Sequence, residues 1–299
     1  MLRPVIVGVD ESPESLAATE WATREALRRD VPLRLVHAWN WSPHPASDVP
    51  AGATAVGAAQ RVRARSVLDT AEAAVRTYAP ALPLTADPLE GPAAAALLHI
   101  AAQADLLVLG SRGLSSVTGV VVGSVANHVA GASPVPIVLV RSGGSPLPYR
   151  SVKDESSPEV VLGLDLTDPC DEVIEFAFAA AEQRGARLHV LSAWRNPSMY
   201  ALGPGEIGLV PGLRRQEEWY RFQEAVLQSW RTKFPTVTVA GTVVEGRAGT
   251  PLLAAAKQAS LVVVGRHAHA TFHVNRGNGP VTHAVVHQAP CPVAIVPHP

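Results

Sequence analysis

Gly110-Ser111-Arg112-Gly113, separated by nine residues from Gly123-Ser124-Val125, is the part of this chain whose residue types and spacing suit a definite chemistry. The glycine loop stands directly after the apolar run Leu106-Leu107-Val108-Leu109 and runs into a helix-like segment. A strand, a glycine turn and a helix start bearing a serine hydroxyl suit the binding of a phosphate. The first N–H groups of a helix have no partner within it, and the helix dipole favours negative charge at that end. Glycine lets the main chain approach an anion with no Cβ in between. The loop therefore reads as a cradle for a nucleotide phosphate. Two common nucleotide signatures are absent. There is no GxxxxGK[ST], and no GxGxxG follows the first apolar run.

The elements that must hold this loop come in two sets, because the chain repeats itself. Val5-Ile6-Val7-Gly8-Val9-Asp10 reappears as Val160-Val161-Leu162-Gly163-Leu164-Asp165, an offset of 155 (165 − 10). Leu35-Val36-His37-Ala38-Trp39 returns at the same offset as Val190-Leu191-Ser192-Ala193-Trp194, Glu90-Gly91 as Glu245-Gly246, and the run into Gly110 as the run into Gly265. Near the end one extra residue enters, and Ser133-Pro134-Val135-Pro136 matches Ala289-Pro290-Cys291-Pro292. A single offset held through four blocks marks a tandem duplication, with each half near the usual domain size. The polar, Gly-, Pro- and Ser-rich stretch 143–158 reads as a linker between domains 1–142 and 159–299.

Within the first half, apolar runs at 4–10, 33–39, 82–88, 105–110 and 135–140 alternate with helical patterns at 13–29, 56–78, 92–103 and 122–131. Runs that are apolar throughout suit strands covered on both faces, and the alternation implies an α/β fold with a parallel sheet and right-handed crossovers. In the second half Trp219, Phe222, Val226, Trp230 and Phe234 recur at helical spacing, which reads as a core-facing stripe. The long segments 40–55 and 196–213 read as covers over a ligand or as open loops.

The bulk properties narrow the classes. The chain has 299 residues, a net charge of −1, and cysteine only at positions 170 and 291. A dedicated nucleic-acid or acidic-membrane partner needs a basic field that is missing here. Two distant cysteines fit a reducing compartment rather than a disulfide framework. The apolar stretch after Met1-Leu2-Arg3 is too short for a signal peptide, and Gly, Asp, His or Gln interrupts every apolar run before membrane-spanning length. The expectation is a cytoplasmic globular protein.

The first half resembles the universal stress protein family in its nucleotide-binding branch. The resemblance rests on Val7-Gly8-Val9-Asp10-Glu11-Ser12-Pro13, Val36-His37-Ala38-Trp39, Glu90-Gly91-Pro92 and the long glycine motif, and it spans nearly all of 3–141. Residues 159–297 resemble a diverged second copy. The resemblance implies two tandem Rossmann-like domains of the adenine nucleotide alpha hydrolase-like type, with five-stranded parallel sheets of order 3-2-1-4-5. It implies ATP, with Mg²⁺, between the first and fourth strands. An open α/β sheet takes ligands at that same topological switch point on general grounds. By motif match Gly8 and Asp10 end the first strand, where the carboxylate meets ribose hydroxyls or a metal, and Ala38 faces adenine. Gly110, Arg112, Gly113, Leu114 and Ser115 line the phosphate turn, and Gly123, Ser124 and Val125 open the following helix. Asp10 also has a reading as a helix cap, although Ser12 before Pro13 fits the cap better. Arg112 reads either as a phosphate contact or as a solvated loop charge. His37, His99 and His128 read as structural histidines, and Trp39 and Trp41 as packing residues.

The second half departs from the motif. Ala268 stands where Gly113 does, and Pro280 stands where Ser124 does, removing a hydroxyl and an N–H. Its site is expected to bind ATP weakly or not at all, while Asp165 and Ala193 remain. Its histidines at 267, 269, 273, 283 and 287 offer nitrogen ligands, but no carboxylate or cysteine visibly joins them in sequence, and no metal site is assigned. No catalytic residues can be placed either. The chain reads as a stress-response regulator acting through bound nucleotide, with a slow ATPase or phosphotransferase, or a ligand-free interaction protein, as the alternatives. The terminal runs 135–140 and 293–296 would be exposed sheet edges if unpaired. The resemblance implies that they pair in an intramolecular pseudo-dimer, with further homodimerisation open.

Overall fold

The computed structural model describes residues 2–39, 51–111, 123–142, 159–194, 212–268 and 279–299. They form two compact units, one from each half of the chain. The first runs β1 (Val5–Gly8), α1 (Pro13–Arg29), β2 (Leu33–Trp39), α2 (Ala51–Tyr78), β3 (Leu84–Glu90), α3 (Ala93–Ala101), β4 (Leu106–Ser111), α4 (Ser124–Ala132) and β5 (Ile137–Arg141). Its strands are parallel in the order β3-β2-β1-β4-β5. The second runs β6 (Glu159–Gly163), α5 (Asp171–Arg184), β7 (Arg187–Trp194), α6 (Gly212–Lys233), β8 (Val239–Glu245), α7 (Gly249–Ala255), β9 (Ala259–His267), α8 (Pro280–Gln288) and β10 (Val293–His298). Its order is β8-β7-β6-β9-β10, the same 3-2-1-4-5 arrangement.

The central strands explain the apolar runs. Val5, Ile6, Val7 and Leu106 to Val108 have no solvent exposure, as a parallel strand covered by helices on both faces requires. Gly8 is the register partner of Leu109, so β1 stops two residues short of the end of β4, and the crevice opens beyond Gly8 beside Gly110 and Ser111. The helices are fixed by local signals. Ser12 caps α1 through a hydrogen bond from Ser15 N at 3.2 Å, Pro13 opens its first turn, and Asp30 ends it in the left-handed region. Ala18, Trp21, Ala22 and Ala26 put its apolar face on the sheet. The buried Glu25 carboxylate on that helix accepts from Arg29 at 2.8 Å and lies 3.6 Å from Arg28. In the second unit Gly185, at φ 58°, ends α5. The ring of fully buried Phe178 lies tilted against Trp230 and Phe234, with ring centres 6.2 Å and 5.5 Å away.

The sequence-based element bounds shift in places. Strand β3 begins at Leu84 rather than 82, β5 begins after Pro136, and α2 extends back to Ala51. The linker, 40–50 and 196–211 lie outside the described residues. The aromatic stripe expected in the second core is corrected. Phe222 is 44% exposed, whereas the buried line on α6 runs through Gln223 and Leu227 to Phe234 just beyond its end. Gln223 can be buried because its amide donates to Ser192 Oγ at 2.9 Å, and because Gly241 leaves room where a Cβ would lie 2.4 Å from its side-chain oxygen. Among the described residues, no helix is long and apolar enough to cross a membrane.

Candidate functional site

At the carboxyl ends of β1 and β4 lies a cleft of about 240 Å³. Gly8 and Asp10 from the end of β1, Ala38 from β2, Gly110 from β4, and Gly123, Ser124 and Val125 at the start of α4 all line it. The structure thus gathers seven of the expected site residues into one place. Arg112, Gly113, Leu114 and Ser115, like Trp41, lie outside the described residues.

The glycines of the motif stand there for different reasons. A Cβ on Gly110 would lie 2.6 Å from the main-chain carbon of Glu14 and 2.8 Å from Ser15 N, so this glycine lets β4 press against the first turn of α1. A Cβ on Gly8 would lie 2.5 Å from Leu109 Cδ2. Gly123 is the opposite case, for a Cβ there would meet nothing within 4 Å. It occupies the N-cap of α4, where it can offer no capping side chain. Asn127 N is bonded to Gly123 O at 2.9 Å, which leaves the N–H groups of Ser124, Val125 and Ala126 ahead of the first intrahelical bond, at the cleft wall. An uncapped helix start with open space before it is a fitting seat for an anion.

The N-terminus of α1 faces the same cleft but is already engaged. Asp10 Oδ1 accepts from Ser12 N at 2.9 Å and from the Ser12 hydroxyl, and Ser15 Oγ donates to Asp10 O at 2.6 Å. Burial works to raise the Asp10 pKa. The Ser12 and Ser15 hydrogen bonds and the nearby His37 outweigh it, and the carboxyl sits below its ordinary value. Asp10 is thus both part of the cap structure and an anionic group at the cleft. His37 Nδ1 lies 2.7 Å from Val9 O, so that nitrogen carries the proton and the ring fastens β2 to the end of β1. This agrees with its structural reading. Trp39 is buried, whereas His99 and His128 are exposed. Sequence reasoning passed over Glu14, Ser15, Ala93 and Leu97, which also line the cleft. The i, i+4 spacing of the last two on α3 was the available signal.

The second unit keeps the turn and changes the helix. Asp165 Oδ1 accepts from Thr167 N at 2.9 Å and Thr167 Oγ1 at 2.6 Å, repeating the Asp10–Ser12 arrangement. Helix α8 forms with Pro280 in its first turn. His283 and His287 stack on α8 with ring centres 4.1 Å apart, and His269 and His273 lie outside the described residues. Near the end of β9 a separate group of side chains meets. Cys170 Sγ lies 2.9 Å from His298 Nδ1, and His267 Nε2 lies 3.7 Å from Asp168 Oδ2. The Cys170 thiol is pushed up to about 11, first by burial and then by Asp168, Glu172, Asp165 and Asp171.

Comparison with known proteins places this architecture. The model of the universal stress protein family matches residues 1–141 and again 158–297. A universal stress protein of Mycobacterium tuberculosis is 29% identical, over 98% of this chain and 95% of its own. Another, of Mycolicibacterium smegmatis, is 29% identical over 98% and 96%. The crystal structure of a universal stress protein from Archaeoglobus fulgidus superposes with a TM-score of 0.70 at 17% identity, covering 99% of this chain and 98% of that one. With the family's model matched twice in succession and each half folded as a 3-2-1-4-5 parallel sheet, the chain belongs to the universal stress protein family as a tandem two-domain member.

Proposed function

We propose that the first domain binds ATP, with Mg²⁺, and that the protein acts as a nucleotide-dependent regulator of the stress response. The observation that carries this reading is the uncapped start of α4 at Gly123, opening onto a cleft that also holds Asp10 and Ala38. The N–H groups of Ser124 and Val125 and the Ser124 hydroxyl would hold phosphate oxygens, joined by the glycine turn at Arg112 and Gly113. Asp10 would take ribose hydroxyls or the metal, and Ala38 with the β2 main chain would take adenine. Bound nucleotide stabilises the native state by RT ln(1 + [L]/Kd), which couples ATP supply to the persistence of the folded first domain.

The second domain is proposed to bind ATP much more weakly, or not at all. Pro280 withdraws a hydroxyl and an N–H from its helix start. Losing two charge-assisted bonds at roughly 1.5–3 kcal/mol each weakens binding by about two to four orders of magnitude. Isothermal titration of the full chain with Mg–ATP tests both statements. The expected result is one ATP per chain, lost in Gly123→Val, with the melting curve of the ligand-free variant shifted by no more than the loss of a glycine cap, since a Cβ at this position meets nothing within 4 Å. Two sites per chain, no binding, or undiminished binding by the variant would each overturn the reading.

A further inference from the structure

We propose that the second domain carries a transition-metal site of the zinc type, built from Asp168, Cys170, His267 and His298. Three chain segments bring these residues together. Asp168 and Cys170 lie just before α5, with Cys170 at its N-cap, His267 ends β9 and His298 ends β10. His267 and His298 are register partners on adjacent parallel strands, so their side chains leave the same face, and their ring centres stand 4.3 Å apart. One ligand atom each from Asp168, Cys170 and His298 falls within 4.8 Å of the others. His267 stands just outside that trio, with its Nε2 3.7 Å from Asp168 Oδ2, and would turn in as the fourth ligand.

Three of the four side chains already stand near the spacing a bound ion requires. Ligand atoms on a tetrahedral zinc stand roughly 3.5 Å apart, given bonds of about 2.0–2.3 Å. The separations among Asp168, Cys170 and His298 run from 2.9 Å, between Cys170 Sγ and His298 Nδ1, to within 4.8 Å, so side-chain rotations must draw the set onto an ion. Pro299 O lies 3.3 Å from His267 Nδ1, which leaves Nε2 of that ring as a ligand, and 3.2 Å from His298 Nδ1, a contact that His298 gives up when that nitrogen binds the ion. A mixed sulfur, nitrogen and carboxylate set selects zinc or its neighbours over magnesium or calcium. The field is negative, with Asp171, Glu172 and Asp165 near the thiol.

The sequence counterparts in the first domain are Pro13, Ser15, Arg112 and Ser142: a proline, two hydroxyls and a cation. The ligand set is therefore particular to the second copy, at the same end of its sheet where the ATP motif is lost.

The test uses the full chain, stripped with chelator and titrated with Co²⁺ and then with Zn²⁺. One Co²⁺ per chain should bind with a thiolate-to-cobalt charge-transfer band, and Zn²⁺ should displace it and protect Cys170 from alkylation. Cys170→Ser should abolish the band. Asp168→Asn, at an exposed position, should keep the fold and weaken the affinity by at least about tenfold. A His283→Gln, His287→Gln double variant should change nothing. Absence of the band, persistence of it in Cys170→Ser, undiminished affinity in Asp168→Asn, or its loss in the α8 double variant would overturn the assignment. So would alkylation of Cys170 that is fast at neutral pH and indifferent to Zn²⁺, the mark of a free nucleophile.

Discussion

Replacing Gly110 and Gly123 by alanine in turn should separate the two duties that glycine performs in one motif. At Gly110 the new Cβ would stand 2.6 Å and 2.8 Å from main-chain atoms of Glu14 and Ser15. Main chain cannot rotate out of the way as a side chain can, so β4 and the first turn of α1 must part. Overpacking of this kind costs about 1–3 kcal/mol, and the rigid neighbours put Gly110→Ala at the upper end. At about 2–4 °C per kcal/mol, the first-domain melting point should fall by roughly 4–12 °C. At Gly123 the Cβ meets nothing within 4 Å, and the residue's φ of −52° suits alanine. Reduced freedom of the unfolded chain favours the variant by about 0.4–1 kcal/mol. Alanine's poorer capping opposes it by a similar amount. The ligand-free melting point should therefore stay within a degree or two. Differential scanning calorimetry of both variants decides the matter. A Gly110→Ala protein that melts with the wild type, or a Gly123→Ala protein that falls as far as Gly110→Ala, would refute the division of roles.

Arg29→Met should destabilise the first domain by roughly 3 kcal/mol in urea titration, because it removes the 2.8 Å partner of a buried Glu25 carboxylate. Phe178→Ala should cost about 3–5 kcal/mol, and by calorimetry the loss should fall on the second-domain transition. Asp10→Asn probes a carboxyl whose folded pKa is lowered, so its contribution is present above the unfolded value of about 3.9 and disappears as pH falls through the lower folded value. Melting points of wild type and Asp10→Asn should differ near pH 7 and converge below pH ~4. A gap that widens on acidification would contradict the sign.

Much of this was legible in the residues. The fixed offset announced two copies, and the unbroken apolar runs of β1 and β4 announced parallel strands covered on both faces. The bounds of α1 were readable because Ser12, Pro13 and basic last-turn residues mark them chemically. Edge strand β3 was displaced because its alternation of exposed and half-buried residues is weak. The stripe on α6 misled because hydrophobicity was taken for depth, whereas Gln223 goes inside through its bond to Ser192 and the room left by Gly241. Gly8 and Gly110 were read as ligand-facing glycines, and only three-dimensional contact shows that each also admits a neighbouring part of the fold. The Asp168, Cys170, His267, His298 group was invisible for a simpler reason. Its members are up to 130 positions apart (298 − 168), and only the pairing of β9 with β10 joins them.

The proline that opens α8 has a wider meaning for how the two siblings age under heat. Both α4 and α8 start at a glycine with no capping side chain, but Pro280 presets the first turn of α8 where α4 carries Ser124. On the function proposed above, the first copy would answer to the cell's energy currency and the second would not. A fall in nucleotide would then lower the melting point of the first domain and leave that of the second where it was.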